Sequence, residues 1–306
     1  MSLRGTIDIG SNSILLLIGE YTNGSFKELA NEAVVTALGR DLDKTGVFHT
    51  ESMETSFDTL KKYAEISRGL GFNPSDIIAT ATEASRVAKN AIEFFEKVKN
   101  ETGINVQVIT SEAEAYYSTR GITFNSKFEE DIIHIMDIGG ASTELIKYNN
   151  KDQTILHDFS LPIGAVRLTN WKEENIVEEK MLTVLTTFAE NLSKVHTKKL
   201  YCVAGTMTSV GNMVLGNKDF REKEIHGLEI STKTIKDLVN KYQDYTEENF
   251  LKDFPFLGKR AKTILGGLYV ALTVFSELGV EDVEISTYGL RYGTLEAGGI
   301  ADEYLA

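Results

Sequence analysis

One short pattern occurs twice in the chain, and it restricts the fold more than any other feature. Residues 5–18 read GTIDIGSNSILLLI and residues 134–146 read HIMDIGGASTELI. Asp8, Gly10 and Ser13 of the first stretch line up with Asp137, Gly139 and Ser142 of the second. In each, an apolar β-rich run stops at small polar residues and then resumes, which reads as strand, tight turn, strand. A single copy would be an ordinary hairpin. Two copies in two halves point to a pair of similar α/β domains, because a solenoid needs short periods repeated many times.

The order of elements repeats as well. The first half reads as three strands (GTIDIG, ILLLIGEY and EAVVTAL, with a hairpin turn at Asn23-Gly24). A helical stretch follows, with Phe57, Leu60 and Ala64 on one face. Next come strand DIIATAT, a helix through EASRVAKNAIEFFEKVKN, strand NVQVIT and a helix from Glu112. The polar segment NSKFEED, 125–131, is the expected boundary, giving domains 1–124 and 125–306. Beyond it come strands IIHIMDIG, ELIKYN and TILHDFSL, a long helix over about 172–196, strand KLYCVAG, further helices, strand DVEIST and a last helix from Leu290. The two turns are expected to open on a cleft between the domains, a common place for ligands.

Length and charge narrow the functional classes. At 306 residues the chain exceeds the usual single core. Its net charge of −13 argues against general affinity for nucleic acid or anionic membrane, which draws on a basic surface. No apolar run reaches membrane-spanning length, and Met1-Ser2-Leu3-Arg4 leads straight into a strand, so a soluble, cytoplasmic protein is expected. The single cysteine, Cys202, rules out an intrachain disulfide and reads as a core residue. Five scattered histidines with no i, i+4 pair give no zinc pattern.

The turns suggest a chemistry. Gly and Ser in a tight turn present backbone N–H groups and short hydroxyls, and such nests bind phosphate oxygens. The candidates are Gly10, Ser11, Asn12 and Ser13 in the first loop, and Gly139, Gly140, Ala141, Ser142 and Thr143 in the second. Asp8 and Asp137 cannot themselves bind phosphate, but they suit Mg²⁺, held directly or through water.

The segments IDIGSNS, ATEASR, ITSEAEA, MDIGGASTEL, LPIGAVRLT, VAGTMTSVG and ISTYGLRYGTL, in that order, resemble the exopolyphosphatase and guanosine pentaphosphate phosphohydrolase family. The resemblance covers nearly the whole chain. It implies two ribonuclease-H-like domains of the actin-like ATPase kind facing each other across an active-site cleft. It further implies Mg²⁺-dependent removal of a terminal phosphate, with Mn²⁺ as a substitute metal. Glu114 matches the glutamate that activates or orients the attacking water, and Asp137 and Glu144 match acids linked to metal and catalysis. Arg86 matches an arginine facing the substrate phosphates. The implied partner is inorganic polyphosphate or a guanosine polyphosphate, with a homodimer as the assembly. Arg40 and Arg167 read as loop anchors, with phosphate contact as the alternative, and Arg260, Arg291 and His226 as structural.

Two positions depart from the family pattern: Ala141, where a third Gly is usual, and Tyr292, where a glutamate is common. Ala141 costs little if its φ is negative. Both changes leave the acids in place and bear on substrate preference. Longer relatives carry a further helical region beyond the point where this chain stops, so a short polyphosphate or a nucleotide polyphosphate is an expected substrate. A kinase of the same superfamily and a non-catalytic polyphosphate sensor are the rival classes.

Overall fold

The computed structural model describes every residue except Met1, Asn23, Asn125 and Lys127. The expected Asn23-Gly24 turn and the boundary segment 125–131 therefore lie partly outside the described residues. In chain order the elements are β1 (Ser2–Ile9), β2 (Ser13–Thr22), β3 (Ser25–Val35), α1 (Leu42–Thr45), α2 (Thr50–Gly69), β4 (Ile78–Ala81), α3 (Glu83–Val87), α4 (Ala91–Thr102), β5 (Val106–Val108) and α5 (Ser111–Thr123). Then follow β6 (Ile132–Ile138), β7 (Thr143–Asn149), β8 (Thr154–Leu161), α6 (Ala165–Glu173), α7 (Val177–Thr187), α8 (Ala189–Ser193), β9 (Lys199–Val203) and α9 (Ala204–Val214). The last are α10 (Glu222–Ile225), β10 (Leu228–Ser231), α11 (Thr232–Tyr242), α12 (Glu247–Asp253), α13 (Ile264–Leu278), β11 (Asp282–Ile285) and α14 (Leu290–Ala297).

These elements form two compact units, Met1–Lys127 with Gly289–Ala306, and Phe128–Tyr288. The first holds a five-stranded sheet ordered β3-β2-β1-β4-β5, the second a six-stranded sheet ordered β10-β11-β9-β6-β7-β8. Read from β8, the second sheet repeats the first and adds β10 at the edge. In both, three antiparallel strands joined by hairpins lead into parallel strands with helical crossovers, the α/β repeat read from the sequence and the ribonuclease-H-like arrangement that the family resemblance implies.

In the first unit, Ile7, Ile9, Ile14, Leu16 and Ile18 point to one sheet face and pack under α2 and α4 through Leu60, Tyr63, Phe94, Phe95 and Val98. Helix α4 buries Ala91, Phe94, Phe95, Val98 and Thr102, the i, i+3, i+4, i+7 stripe of an amphipathic helix, and Gly103 ends it in the left-handed region. The segment expected as one helix from Glu83 is broken between Val87 and Ala91 into α3 and α4. The other face, which carries Arg4, Thr6 and Asp8, receives α14. Thr6 Oγ1 donates to Arg291 O at 3.2 Å, and Arg4 donates to Leu295 O at 2.6 Å.

Residues from 289 onward thus belong to the first unit, and the expected division at 124/125 misplaces them. The reason is a close helix crossing between α5 and α14. A Cβ on Gly121 would fall 2.0 Å from Gly289 O, and one on Gly293 would fall 1.7 Å from Tyr117 O. Tyr292 is buried on α14, and its hydroxyl donates to Glu28 Oε1 at 2.5 Å. Its departure from the family pattern is therefore met inside the packing of this unit.

In the second unit, α13 is apolar nearly all round and lies in a core with Met136, Ile138, Leu200, Cys202, Val210 and Val283. Cys202 is fully buried, as its apolar strand predicts. The long helix expected over 172–196 is instead three helices, α6 to α8. Asn175, at φ 58, takes the left-handed conformation between the first two, and Phe188 is non-helical between the last two. No single helix among the described residues is long and apolar enough to cross a membrane.

Two stability measurements follow. Alanine is the better helix former by about 1 kcal/mol, yet Gly293→Ala should lower stability by roughly 1–3 kcal/mol because the methyl has no room. A urea midpoint equal to wild type would contradict the close crossing. His134 is buried on β6 with Nε2 unpartnered, and burial followed by the charge of Lys147 opposite it pushes its pKa down from 6.5 to about 4. The unfolded chain therefore takes up this proton first as pH falls from 6.5 toward 4, and stability declines across that window. His134→Leu should remove about 1–2 kcal/mol of the loss between pH 7 and 5; identical losses in both proteins would refute it.

Candidate functional site

Strands β1, β4 and β5 run parallel, with Ile9 beside Ala81 and Ala81 beside Val108, so their carboxyl ends share one edge of the sheet. Ligands of open α/β sheets collect at such an edge. Every candidate residue of the first unit follows or ends one of these strands: Asp8 and the loop 10–13 on β1, Arg86 after β4, and Glu114 after β5.

The loop is closed by a 3.0 Å hydrogen bond from Gly10 N to Ser13 O. Its carbonyls are taken up from behind. Asn12 O accepts from Thr36 N and Ala37 N, both at 3.0 Å, and Ser11 O accepts from Gly39 N at 2.7 Å. Gly39 is needed for this approach, since a Cβ there would lie 2.9 Å from Ser11 Cβ. With these lone pairs engaged in the protein, the loop can offer N–H groups and hydroxyls to an anion without opposing carbonyl charge.

Arg86 and Glu114 meet. Thr110 caps α5 by accepting from Ala113 N at 3.1 Å, which sets Glu114, 8% exposed, in the first turn. Arg86 donates to Glu114 Oε2 from both terminal nitrogens, at 3.2 and 3.1 Å, to Glu83 Oε2 at 3.1 Å and to Ile109 O at 2.8 Å. Burial alone would lower the arginine pKa, but the two carboxylates outweigh it and the pKa is raised, so the guanidinium stays charged. The family resemblance implies that Arg86 faces the substrate phosphates; in the fold its guanidinium also meets two glutamates, Glu83 and Glu114. Asp8 lies on the α14 face, where burial pushes its carboxyl up to about 6 against the opposing charge of Arg291. Arg291 itself donates to Leu16 O and Asn31 Oδ1, a structural role as read.

The second unit repeats the plan. Strands β6, β9 and β11 are parallel, and the loop after β6 is closed from Gly139 N to Ser142 O at 3.0 Å. Gly139 O accepts from Ala165 N at 3.0 Å, and Gly140 O from Val166 N at 2.8 Å and Arg167 N at 3.1 Å. Arg167 also donates to Ala141 O at 2.7 Å, the anchoring role read for it. A Cβ on Gly164 would stand 2.6 Å from Gly140 O, so Gly164 is the counterpart of Gly39. Ala141 is not among the positive-φ residues, which is why a side chain is tolerated there. Thr143 is fully buried and donates to Ile163 O at 2.6 Å, so its hydroxyl ties the loop to the segment after β8.

Asp137 and Glu144 stand directly opposite each other on β6 and β7, hence on the same face. Glu144 is 2% exposed and accepts from Ser160 Oγ at 2.8 Å. No group of three or more His, Cys, Asp or Glu side chains suited to a metal occurs among the described residues. Two facing carboxylates nevertheless fit Mg²⁺, which keeps several waters and is commonly held by one or two carboxylates together with substrate phosphates. In the first unit Leu15 stands where Glu144 stands in the second, so the two loops are not equivalent toward a cation.

Sequence reasoning overlooked Gly39, Gly164, Ser160 and Glu83. A Gly one residue ahead of an Arg in LGR, and three ahead in IGAVR, was the available signal for the first two. A cavity of about 430 Å³ lined by Met213, Leu238, Tyr242 and Phe254 lies at the far end of α9, away from the strand ends that carry the loop.

The description of the Ppx/GppA phosphatase family matches residues 17–297. The bifunctional 3-dehydroquinate synthase/phosphatase of Fusobacterium nucleatum is 31% identical over 313 residues, covering 97% of this chain and 46% of that protein. The chain thus spans about half the length of this curated relative. Among solved structures, an Aquifex aeolicus Ppx/GppA family member is 29% identical, with 96% of each chain covered and a TM-score of 0.76. An exopolyphosphatase from Cytophaga hutchinsonii is 25% identical, with 98% and 99% covered and a TM-score of 0.86.

Arg86→Ala strands two carboxylates and should cost roughly 3 kcal/mol, read by urea unfolding. A loss below about 1 kcal/mol would mean that solvent screens the pair as it does at a surface.

Proposed function

Since the chain belongs to the Ppx/GppA phosphatase family, we propose that it is an exopolyphosphatase, hydrolysing the terminal phosphoanhydride of inorganic polyphosphate to orthophosphate with Mg²⁺. The observation that carries this reading is the hold of Arg86 on Glu114 at the carboxyl ends of parallel strands. Phosphoryl transfer asks a protein mainly to position water and to stabilise charge on the equatorial oxygens. A carboxylate fixed through one oxygen by a charged arginine is an acceptor with a set direction, suited to orienting the attacking water and taking its proton. The loops 10–13 and 139–142, each in its own unit, supply N–H groups suited to phosphate oxygens. Asp137 and Glu144 are the residues of the second unit that would hold Mg²⁺, whose charge offsets that of the phosphate oxygens when bound, and Asp8 is the matching acid of the first unit.

The experiment is orthophosphate release from medium-chain polyphosphate, guanosine pentaphosphate and ATP with Mg²⁺, beside Glu114→Gln. The glutamine amide still accepts from Arg86, so folding and binding should persist while turnover falls at least a hundredfold. Release from polyphosphate, lost in the variant, is the expected result. Release from guanosine pentaphosphate alone would reassign the substrate. ATP-dependent transfer to a small acceptor without phosphate release would overturn hydrolysis in favour of a kinase.

A further inference from the structure

The dipeptide Ile109-Thr110 serves both candidate residues of the first unit. Ile109 O accepts from Arg86, and Thr110 O accepts from Glu114 N at 3.1 Å while the Thr110 side chain caps α5. The dipeptide is held from two sides: Ile109 N donates to Ala81 O of β4 at 3.0 Å, and the segment 301–306 takes the outer side. Thr110 N donates to Tyr304 O at 3.0 Å, Ile109 pairs with Leu305 in an antiparallel bridge, and Ala306 N donates to Val108 O at 2.9 Å. This segment covers the outer edge of β5, the last strand of its sheet. Its hold comes from side chains. The Tyr304 ring stacks on Tyr116 at 5.2 Å and meets Tyr117 edge-on at 5.6 Å, and Ala301 N donates to the Tyr117 hydroxyl at 3.2 Å.

We infer that Tyr304 is a positioning residue for this site: by docking the segment 301–306 on α5 it fixes Ile109-Thr110, and through them the direction of Glu114 and Arg86. The inference rests on the role proposed for Glu114. The physical reason is that β5 is only a three-residue strand, so a few hydrogen bonds set the register of the turn that follows. Aromatic stacking supplies the attachment that the short 3₁₀ turn Asp302–Tyr304 lacks. Misorientation of a water-directing carboxylate lowers the chemical step and leaves phosphate binding at the loops largely intact.

The test compares Tyr304→Ala, Tyr304→Phe and wild type in steady-state orthophosphate release from polyphosphate, with amide hydrogen exchange at Thr110 followed in the same proteins. Tyr304→Ala should lose at least tenfold in kcat with KM within threefold and should exchange the Thr110 amide at least tenfold faster. Tyr304→Phe, which keeps the ring, should restore both. If Tyr304→Ala folds poorly, Tyr117→Phe replaces it, since this removes the bond from Ala301 N and keeps the ring that Tyr304 meets edge-on. Its kcat should fall by a smaller factor in the same direction. Wild-type kcat in Tyr304→Ala, equal falls in binding and turnover, or no recovery in Tyr304→Phe would overturn the inference. An inactive wild type, or full turnover in Glu114→Gln, would instead break the functional reading. In that case Thr110 exchange decides the docking by itself, and an unchanged rate refutes it.

Discussion

The 3.0 Å hydrogen bond from Gly10 N to Ser13 O, with its counterpart from Gly139 N to Ser142 O, is the constraint on which the rest depends. It turns the chain back on itself within four residues, so that β1 pairs with β2 and β6 with β7 in a fixed register. That register puts Asp8 and Asp137 at the ends of their strands. It also brings Glu144 opposite Asp137, and it exposes the loop carbonyls to the segments 36–39 and 165–167. Those segments approach closely because Gly39 and Gly164 have no Cβ.

From this turn the logic of each unit follows by the direction of the strands. Parallel neighbours deliver their following helices to the same edge, and short-range caps and ion pairs do the fine positioning. The Arg86, Glu83 and Glu114 cluster is the clearest case. A charged arginine that is mostly shielded from water is retained because two carboxylates and a carbonyl meet it, and the same contacts hold the Glu114 carboxylate. Stability and orientation are here one interaction, so changes at Arg86 move both together.

Much of the fold was legible in the residues themselves. Apolar runs interrupted by Gly and Ser marked the hairpins, the 3.6-residue stripe marked α2, and the duplicated Asp-x-Gly-x-x-Ser marked the repeat. The errors came where local pattern competes with tertiary packing. Residues 289–306 looked like the end of the second half, but Gly121 and Gly293 allow a crossing that attaches them to the first unit. The stretch 172–196 is helix-compatible throughout, and nothing local announced the left-handed Asn175.

The sequence alone determined the duplicated turn, the α/β order, and the residue types available at each strand end, because periodicity and the steric freedom of glycine act within a few residues. The tertiary structure alone decided what those side chains touch. Arg86 is 28 residues from Glu114 in the chain and Thr110 is far from Tyr304, yet each pair meets, because strand order and helix crossings set distances that no local pattern encodes. That Arg86 meets Glu83 and Glu114, that Thr143 buries its hydroxyl, and which unit takes α14 all follow from that long-range packing.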